Sequence, residues 1–191
     1  MSKRVFRRRG FRVRGFTLVE LIITIVVAAV LLAIAIPNFN QTINSHRLLT
    51  VANDLVTELN EARMEAIKIN SYTQLCSNTQ AANTTDTLGT QCGTQLGAVY
   101  EQINTNGNVT TPLLQQQTQD IDNVTIQVHG TFNAIRYSGL GLGYQPGTST
   151  PFTGTVADIC STNLTGNNHI QVVMSGGSVL STSSPFTGAC P

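Results

Sequence analysis

The sequence predicts an α+β fold in which a long N-terminal hydrophobic helix packs on an antiparallel β-sheet or β-sandwich globular domain. Three observations predict it. One uninterrupted apolar run occupies the N-terminal region, an amphipathic helical pattern follows, and the second half crowds Ser, Thr, Asn, Gln and Gly between short apolar stretches. Those polar clusters separate candidate strands better than they fit helices. A chain of 191 residues holds one modest globular domain plus one extended element, hardly two independent cores. The expected divisions are a basic segment over 1–15, an apolar helix over 16–36, an amphipathic continuation over 37–71 and a β domain over 72–191.

The net charge of +1 conceals a sharp split. Lys3, Arg4, Arg7, Arg8, Arg9, Arg12 and Arg14 supply seven of the eleven basic residues, while every acidic residue lies from Glu20 onward. Without residues 1–15 the charge is 4 − 10 = −6. From Phe16 to Ile36 the only charge is Glu20. As a helix this run spans about 31 Å, matching a hydrocarbon core roughly 30 Å thick. The basic cluster ahead of it favours a cytoplasmic N-terminus, which sends everything after Pro37 to the other compartment. An ordinary secretory signal has a shorter apolar core followed by an A-x-A-like cleavage site, and neither is present. Arg8-Arg9-Gly10-Phe11 is only a faint twin-arginine pattern, because such a signal also needs that cleavage site.

Glu20 has two readings. A carboxylate within hydrocarbon costs on the order of 3 kcal/mol and marks a functional position. Alternatively, it sits near the headgroups at the helix start, where the dipole favours it. The run Gly15-Phe16-Thr17-Leu18-Val19-Glu20, the apolar stretch after it and Pro37 together resemble the class III leader and N-terminal helix of type IV pilins and type II secretion pseudopilins. The resemblance implies cleavage after Gly15 by an inner-membrane prepilin peptidase and N-methylation of Phe16. It also implies pairing of Glu20, fifth in the mature chain, with the N-terminal amine of a neighbouring subunit. A buried carboxylate and a buried ammonium are each costly alone and tolerable together. Cleavage at the alternative Gly10-Phe11 bond would put Gly15 at the fifth position, so only Gly15-Phe16 places a carboxylate there.

Pro37 should kink or loosen the helix, because it lacks a backbone donor and crowds the preceding turn. Beyond it Leu48, Ala52, Leu55, Leu59, Ala62, Ala66 and Ile69 form one apolar stripe, with Asp54, Glu58, Glu61, Glu65 and Lys68 on another face. A coiled coil would explain the stripe, but three heptads giving way to a Gly- and Thr-rich region suit a helix packed on a sheet better. Leu59-Asn60-Glu61-Ala62-Arg63-Met64-Glu65-Ala66-Ile67-Lys68-Ile69-Asn70, followed by Leu75-Cys76, is similar to the helix end and first strand of the FimT/GspH group of minor pilins and pseudopilins. The two resembling stretches cover about residues 10–77.

Candidate strands are Tyr72–Cys76, Ala98–Ile103, Val124–Val128, Phe132–Tyr137, His169–Met174 and Ser178–Ser181, with Gly176-Gly177 as a hairpin turn between the last two. The polar stretches over 77–95 and 139–166 read as mobile loops. Gly139-Leu140-Gly141-Leu142-Gly143 lacks the Lys-Ser/Thr pair of a phosphate loop and reads as a flexible loop. Cys76, Cys92, Cys160 and Cys190 form an even set in a domain expected outside the cytoplasm, which suggests two disulfides. Three pairings are open. Local loop closure favours Cys76–Cys92 with Cys160–Cys190, each contributing about 3–4 kcal/mol in the loop-entropy model. Zinc is disfavoured because close Cys pairs are lacking.

His46, His129 and His169 are scattered, and no catalytic or cofactor motif stands in a suitable context, so the chain reads as a non-enzyme without cofactor or metal. The sequons at Asn83, Asn108, Asn123 and Asn163 follow from the polar composition. The resemblance implies a minor pilin in type IV pilus assembly or priming, or a pseudopilin of type II secretion, with other pilins, the prepilin peptidase and the inner membrane as partners. It places the chain as a single-pass protein of a bacterial inner membrane with its C-terminal domain in the periplasm. Some FimT-like proteins are DNA receptors for natural transformation. Residues 38–191, however, carry four basic and nine acidic groups, or −5, and after Lys68 only Arg136 is basic. Phosphate binding needs a basic patch, so DNA is a disfavoured partner.

Overall fold

The computed structural model of the chain describes residues 15–93, 95–116 and 128–190; the side chains of residues 35–38 and 128 also lie outside that description. The basic segment before Gly15, the expected strand Val124–Val128 up to residue 127, the Asn123 sequon and the Pro37 ring are therefore not described. The chain divides into an N-terminal unit ending at Asn40 and a globular unit beginning at Gln41. One helix, α1 (Leu18–Lys68), runs through both.

In the N-terminal unit, Thr17 caps α1. Its Oγ1 accepts the Glu20 N–H at 3.2 Å and its carbonyl accepts the Leu21 N–H at 3.1 Å. These bonds satisfy donors that a helix start leaves free. From Leu18 to Ile34 every large apolar side chain is 52–73% exposed. The helix is long and apolar enough to cross a membrane.

The globular unit contains β1 (Thr73–Leu75), α2 (Gln80–Asn83), α3 (Thr87–Cys92), β2 (Val99–Glu101), β3 (Ile103–Thr105), β4 (Asn108–Thr110) and β5 (Leu113–Gln115). After these come β6 (Val128–Phe132), β7 (Ile135–Tyr137), β8 (Gly143–Tyr144), β9 (Gly154–Ser161), β10 (His169–Ser175) and β11 (Val179–Thr182). Two sheets form, ordered β5-β2-β1-β7-β8 and β11-β10-β9-β6, with β3 and β4 as a separate ribbon. All their pairings are antiparallel.

The apolar stripe of α1, apart from Ile69, which lies past the helix end and is half-buried, lies in the core formed with both sheets, which makes it a sheet-packing face. Leu48, Val51, Ala52, Leu55, Leu59, Ala62 and Ala66 join Leu75, Val99, Ile135 and Tyr137 of one sheet and Ile159, Ile170, Val172 and Met174 of the other. Fully burying one such leucine contributes about 1.5–3 kcal/mol. Small residues let the backbones approach: the buried Thr73 hydroxyl donates to the Ala62 carbonyl at 2.9 Å. The helix then stops in a Schellman turn. Asn70 takes φ +47°, the Ser71 N–H bonds to the Ala66 carbonyl, and the Asn70 N–H bonds to the Ile67 carbonyl.

Several expected elements differ from those observed. Residues 77–95 are no plain loop, because they hold α2 and α3, and Asp86 caps α3 by accepting the Gly89 N–H at 2.8 Å. Within 139–166 lies β9, the longest strand, hydrogen-bonded to β10 on one side and β6 on the other. The expected strand over Phe132–Tyr137 is two strands in different sheets: Phe132 ends β6, Ile135 begins β7, and the chain crosses between them. Ala98–Ile103 likewise breaks at Gln102, whose N–H turns to the Tyr72 carbonyl.

The Gly139–Gly143 stretch is a packed turn rather than a free loop. Gly141 has φ +73°, and a Cβ there would meet Ile67 Cδ1 at 2.7 Å and Arg63 Nε at 3.2 Å. Glycine is what lets this turn lie against the end of α1.

Candidate assembly surface

Thr17 and Glu20 stand in the T-x-x-E spacing of a capping box. The cap uses the backbone of Glu20 and leaves its carboxylate exposed in the first turn of α1, with no partner among the described residues. Phe16 is 70% exposed just ahead of it. A carboxylate at the positive end of a helix, followed by exposed apolar turns, is consistent with lipid or other apolar helices around the turns and a cation at the carboxylate. The sequence reading passed over the cap, although the T-x-x-E spacing was its signal.

Arg136, the only basic residue after Lys68 in the sequence, is occupied. From β7 its Nη1 lies 2.6 Å from Asp86 Oδ2 and its Nη2 lies 2.9 Å from Oδ1. Its Nε donates to Gln74 Oε1 at 2.9 Å, and Nη2 also bonds to Gln74. Gln74 is fully buried and in turn donates to the Asn83 carbonyl at 3.0 Å. The Arg136 guanidinium holds the Asp86 carboxyl down at about 2, with the Gly89 N–H and the Thr84 hydroxyl adding to the effect against a smaller cost of burial. Gln74 and Asp86 escaped the sequence reading, and Asn83 was read only as a sequon. Asp86 ahead of Thr87-Leu88-Gly89 carried a cap signal; Gln74 carried none.

The histidines do not gather around Arg136. His46 is exposed on α1, and His129 is half-buried on β6 of the other sheet. His169 is buried on β10, with Nδ1 2.9 Å from Asp158 Oδ1 and its ring 5.1 Å from that of Phe186. Asp158 also accepts from Gln171 Nε2 at 3.0 Å. The C-terminal segment covers this row: Phe186 bridges His169, and Gly188 exchanges two hydrogen bonds with Asn168. Among the described residues no group of three His, Cys, Asp or Glu is arranged to hold a metal ion.

Cys76 pairs with Cys92 and Cys160 with Cys190, at Cα–Cα distances of 5.4 and 5.7 Å. The first closes the segment that carries Asp86, and the second ties the C-terminal segment to β9. On the helix surface, Lys68 Nζ lies 2.9 Å from Glu65 Oε1, and Glu61 bonds to Gln115. Burial raises the Glu101 carboxyl, and nearby Glu65 raises it further. Glu61 and Glu65 of the acidic row are thus engaged in surface contacts.

A profile of the family described as type II transport protein GspH matches residues 51–178, and one of the prokaryotic N-terminal methylation motif matches residues 7–36. No curated protein and no solved structure gives a significant match.

Proposed function

We propose that this chain, which belongs to the GspH family of type II transport proteins, works as a minor subunit in the assembly or priming of a type IV pilus. Membership makes it a pilin-like or pseudopilin subunit, a structural class rather than an enzymatic one. The observation that carries the reading is the uncovered apolar stretch of α1, with Glu20 in its first turn and Gly15-Phe16 just before it. Such a surface persists in lipid before assembly and among other apolar helices after it.

In this reading residues 1–15 are removed by the prepilin peptidase and the Phe16 amine is methylated. The Glu20 carboxylate then pairs with the amine of a neighbouring subunit, and the globular unit lies in the periplasm above a single-pass inner-membrane anchor. Pro37 locally loosens the helix for assembly. The description of the matched family supports a second reading, a pseudopilin of type II secretion. DNA capture is not favoured, because Arg136 is already bound to Asp86 and Gln74 and the described surface offers no basic cluster in its place.

Mass spectrometry of the mature chain tests the assignment. An N-terminal N-methylated Phe16 is expected, and a mature chain beginning elsewhere would sink it. Deleting the gene then separates the pathways: loss of surface pili supports the first reading, and loss of protein secretion with pili intact supports the second.

A further inference from the structure

Near its C-terminal end α1 carries a half-buried cation that no carboxylate answers. Among the described residues Arg136 is paired with Asp86 and Lys68 with Glu65, but Arg63 has no acid within ion-pair distance. Its Nη1 donates to the Ser178 carbonyl at 3.1 Å. Its Nε is buried against the glycine turn at Gly141 and has no acceptor among the described residues. A guanidinium has five N–H donors, and one of them has a described partner. The charge is felt inside the fold: burial raises the Tyr137 hydroxyl, and Arg63 works against that rise. That hydroxyl is also buried without a hydrogen-bond partner among the described residues. A cation withdrawn this far from water is costly until an anion completes it.

The surface next to the guanidinium is apolar. Met64 and Ile67 are its neighbours on α1, and both are exposed. Leu140, next to the glycine that touches Arg63 Nε, is 82% exposed. Val179 is exposed beside Ser178, whose carbonyl Arg63 holds. One Arg within a rim of Met, Ile, Leu and Val has the composition of a protein-binding patch. A phosphate-binding surface gathers several cations instead.

We propose that Arg63 receives an acidic side chain from a different subunit of the filament, with Met64, Ile67, Leu140 and Val179 covering the apolar residues that flank that acid. Charge complementarity selects the occupant, because a carboxylate matches the planar fork of a guanidinium. A second copy of this chain is a poorer match. Glu61, Glu65, Asp86 and Asp158 already hold partners within their own chain, and a minor subunit has other chains as neighbours. A free anion would answer the charge and leave the apolar rim bare. One guanidinium and four side chains fall short of the roughly 800 Å² per partner of a stable soluble complex. The contact therefore forms among subunits already gathered in a membrane or filament. This rests on the filament reading above.

Carbodiimide coupling, which joins an amine to a carboxylate in contact with it, tests the contact on the full-length chain in its membrane. Arg63→Lys supplies the amine, keeps the charge and should enter sheared filaments. Coupling should then give a conjugate absent from the parent, its new amide mapped by mass spectrometry from position 63 to an Asp or Glu of another filament subunit. Arg63→Gln should lower incorporation about tenfold or more. Leu140→Glu leaves the Arg63–Ser178 bond in place and sets a repelling carboxylate at the rim. It should lower incorporation with no change in melting temperature. Parental incorporation of both variants overturns the contact and leaves the filament reading standing. So does Arg63→Lys entering filaments without a conjugate, conjugating to a second copy of this chain, or failing as Arg63→Gln does. DNA retention by the parent that Arg63→Gln abolishes would make the anion a phosphate, which also overturns it. If even the unsubstituted chain never enters filaments, the filament reading fails. Coupling in intact membranes then decides the contact alone, an amide mapped to an acid of another membrane protein supporting it and no conjugate overturning it.

Discussion

Asp86 and Arg136, 50 residues apart in sequence, join the disulfide-closed segment between Cys76 and Cys92 to strand β7 through a two-pronged ion pair. Asp86 does two jobs there, since it also caps α3. The pair replaces the exposed cation that a DNA-binding strand region would need with a fixed, neutralised contact.

Acid should therefore loosen this corner. Asp86 titrates at about 2 in the folded chain against an ordinary 3.8, so its folded pKa is depressed. The stabilisation is complete above about pH 4, falls as pH drops through that interval and is gone below about pH 2. Asp86→Asn keeps an N-cap oxygen but removes the charge. Because Asp86 is about half exposed, the cost at neutral pH should be on the order of 1 kcal/mol after screening. Urea unfolding at pH 6, 4 and 2.5 checks this. The gap between parent and variant should shrink towards the lowest pH, and a constant gap would refute the ion-pair origin. Glu101, raised by burial, shifts stability with the opposite sign but is common to both proteins.

A fragment beginning at Asn38, with both disulfides formed, should not bind DNA. Its −5 charge and the engagement of Arg136 leave no basic cluster to release counterions from phosphates. Fluorescence titration at low and physiological salt decides it. Low-micromolar or tighter binding that weakens steeply with salt would make the chain a DNA receptor. Absence of binding at low salt supports a filament role in which any DNA contact comes from a partner.

Removing the Cys76–Cys92 disulfide should cost about 3 kcal/mol by loop entropy, or a fall in melting temperature of roughly 6–12 °C. More diagnostic is its coupling to Asp86. With Cys76 and Cys92 both changed to Ser, the segment holding Asp86 is free to leave Arg136, so Asp86→Asn should cost less there than in the parent. A double-mutant cycle by thermal unfolding measures this. Additive losses would show that the ion pair orders the segment without help from the disulfide.

The helix was legible because its signals repeat. The spacing from Leu48 to Ala66 marks a buried face over five turns, and that face packs on the sheets. Strand β9 was not legible, because Asp158 interrupts Val156-Ala157-Ile159-Cys160 and polar turns surround it. Only the fold reveals that Asp158 is satisfied sideways by His169 and Gln171. Phe132 and Ile135 misled for another reason. Both are core residues, so the sequence between them reads as one apolar strand, whereas the chain changes sheets at Asn133, whose amide bonds to the Thr155 carbonyl. Arg136 looked like a lone surface cation because Gln74 and Asp86, far away in sequence, carry no mark of the contact.

Glu20 should be needed for assembly and not for folding. Thr17 caps the helix through the Glu20 backbone, so Glu20→Ala leaves that bond in place and removes only the exposed carboxylate. The globular unit has its own core, and its melting temperature should not change. Incorporation into sheared filaments should fall at least tenfold, because a neighbouring ammonium brought among apolar helices would lose its counter-charge. Thr17→Val is the control for helix fraying, since it deletes the cap at a cost of about 1 kcal/mol while keeping the carboxylate. If Thr17→Val assembles normally and Glu20→Ala does not, the charge is what assembly reads. If Glu20→Ala enters filaments as the parent does, the exposed carboxylate is only a residue of the helix start, and the apolar run alone drives association.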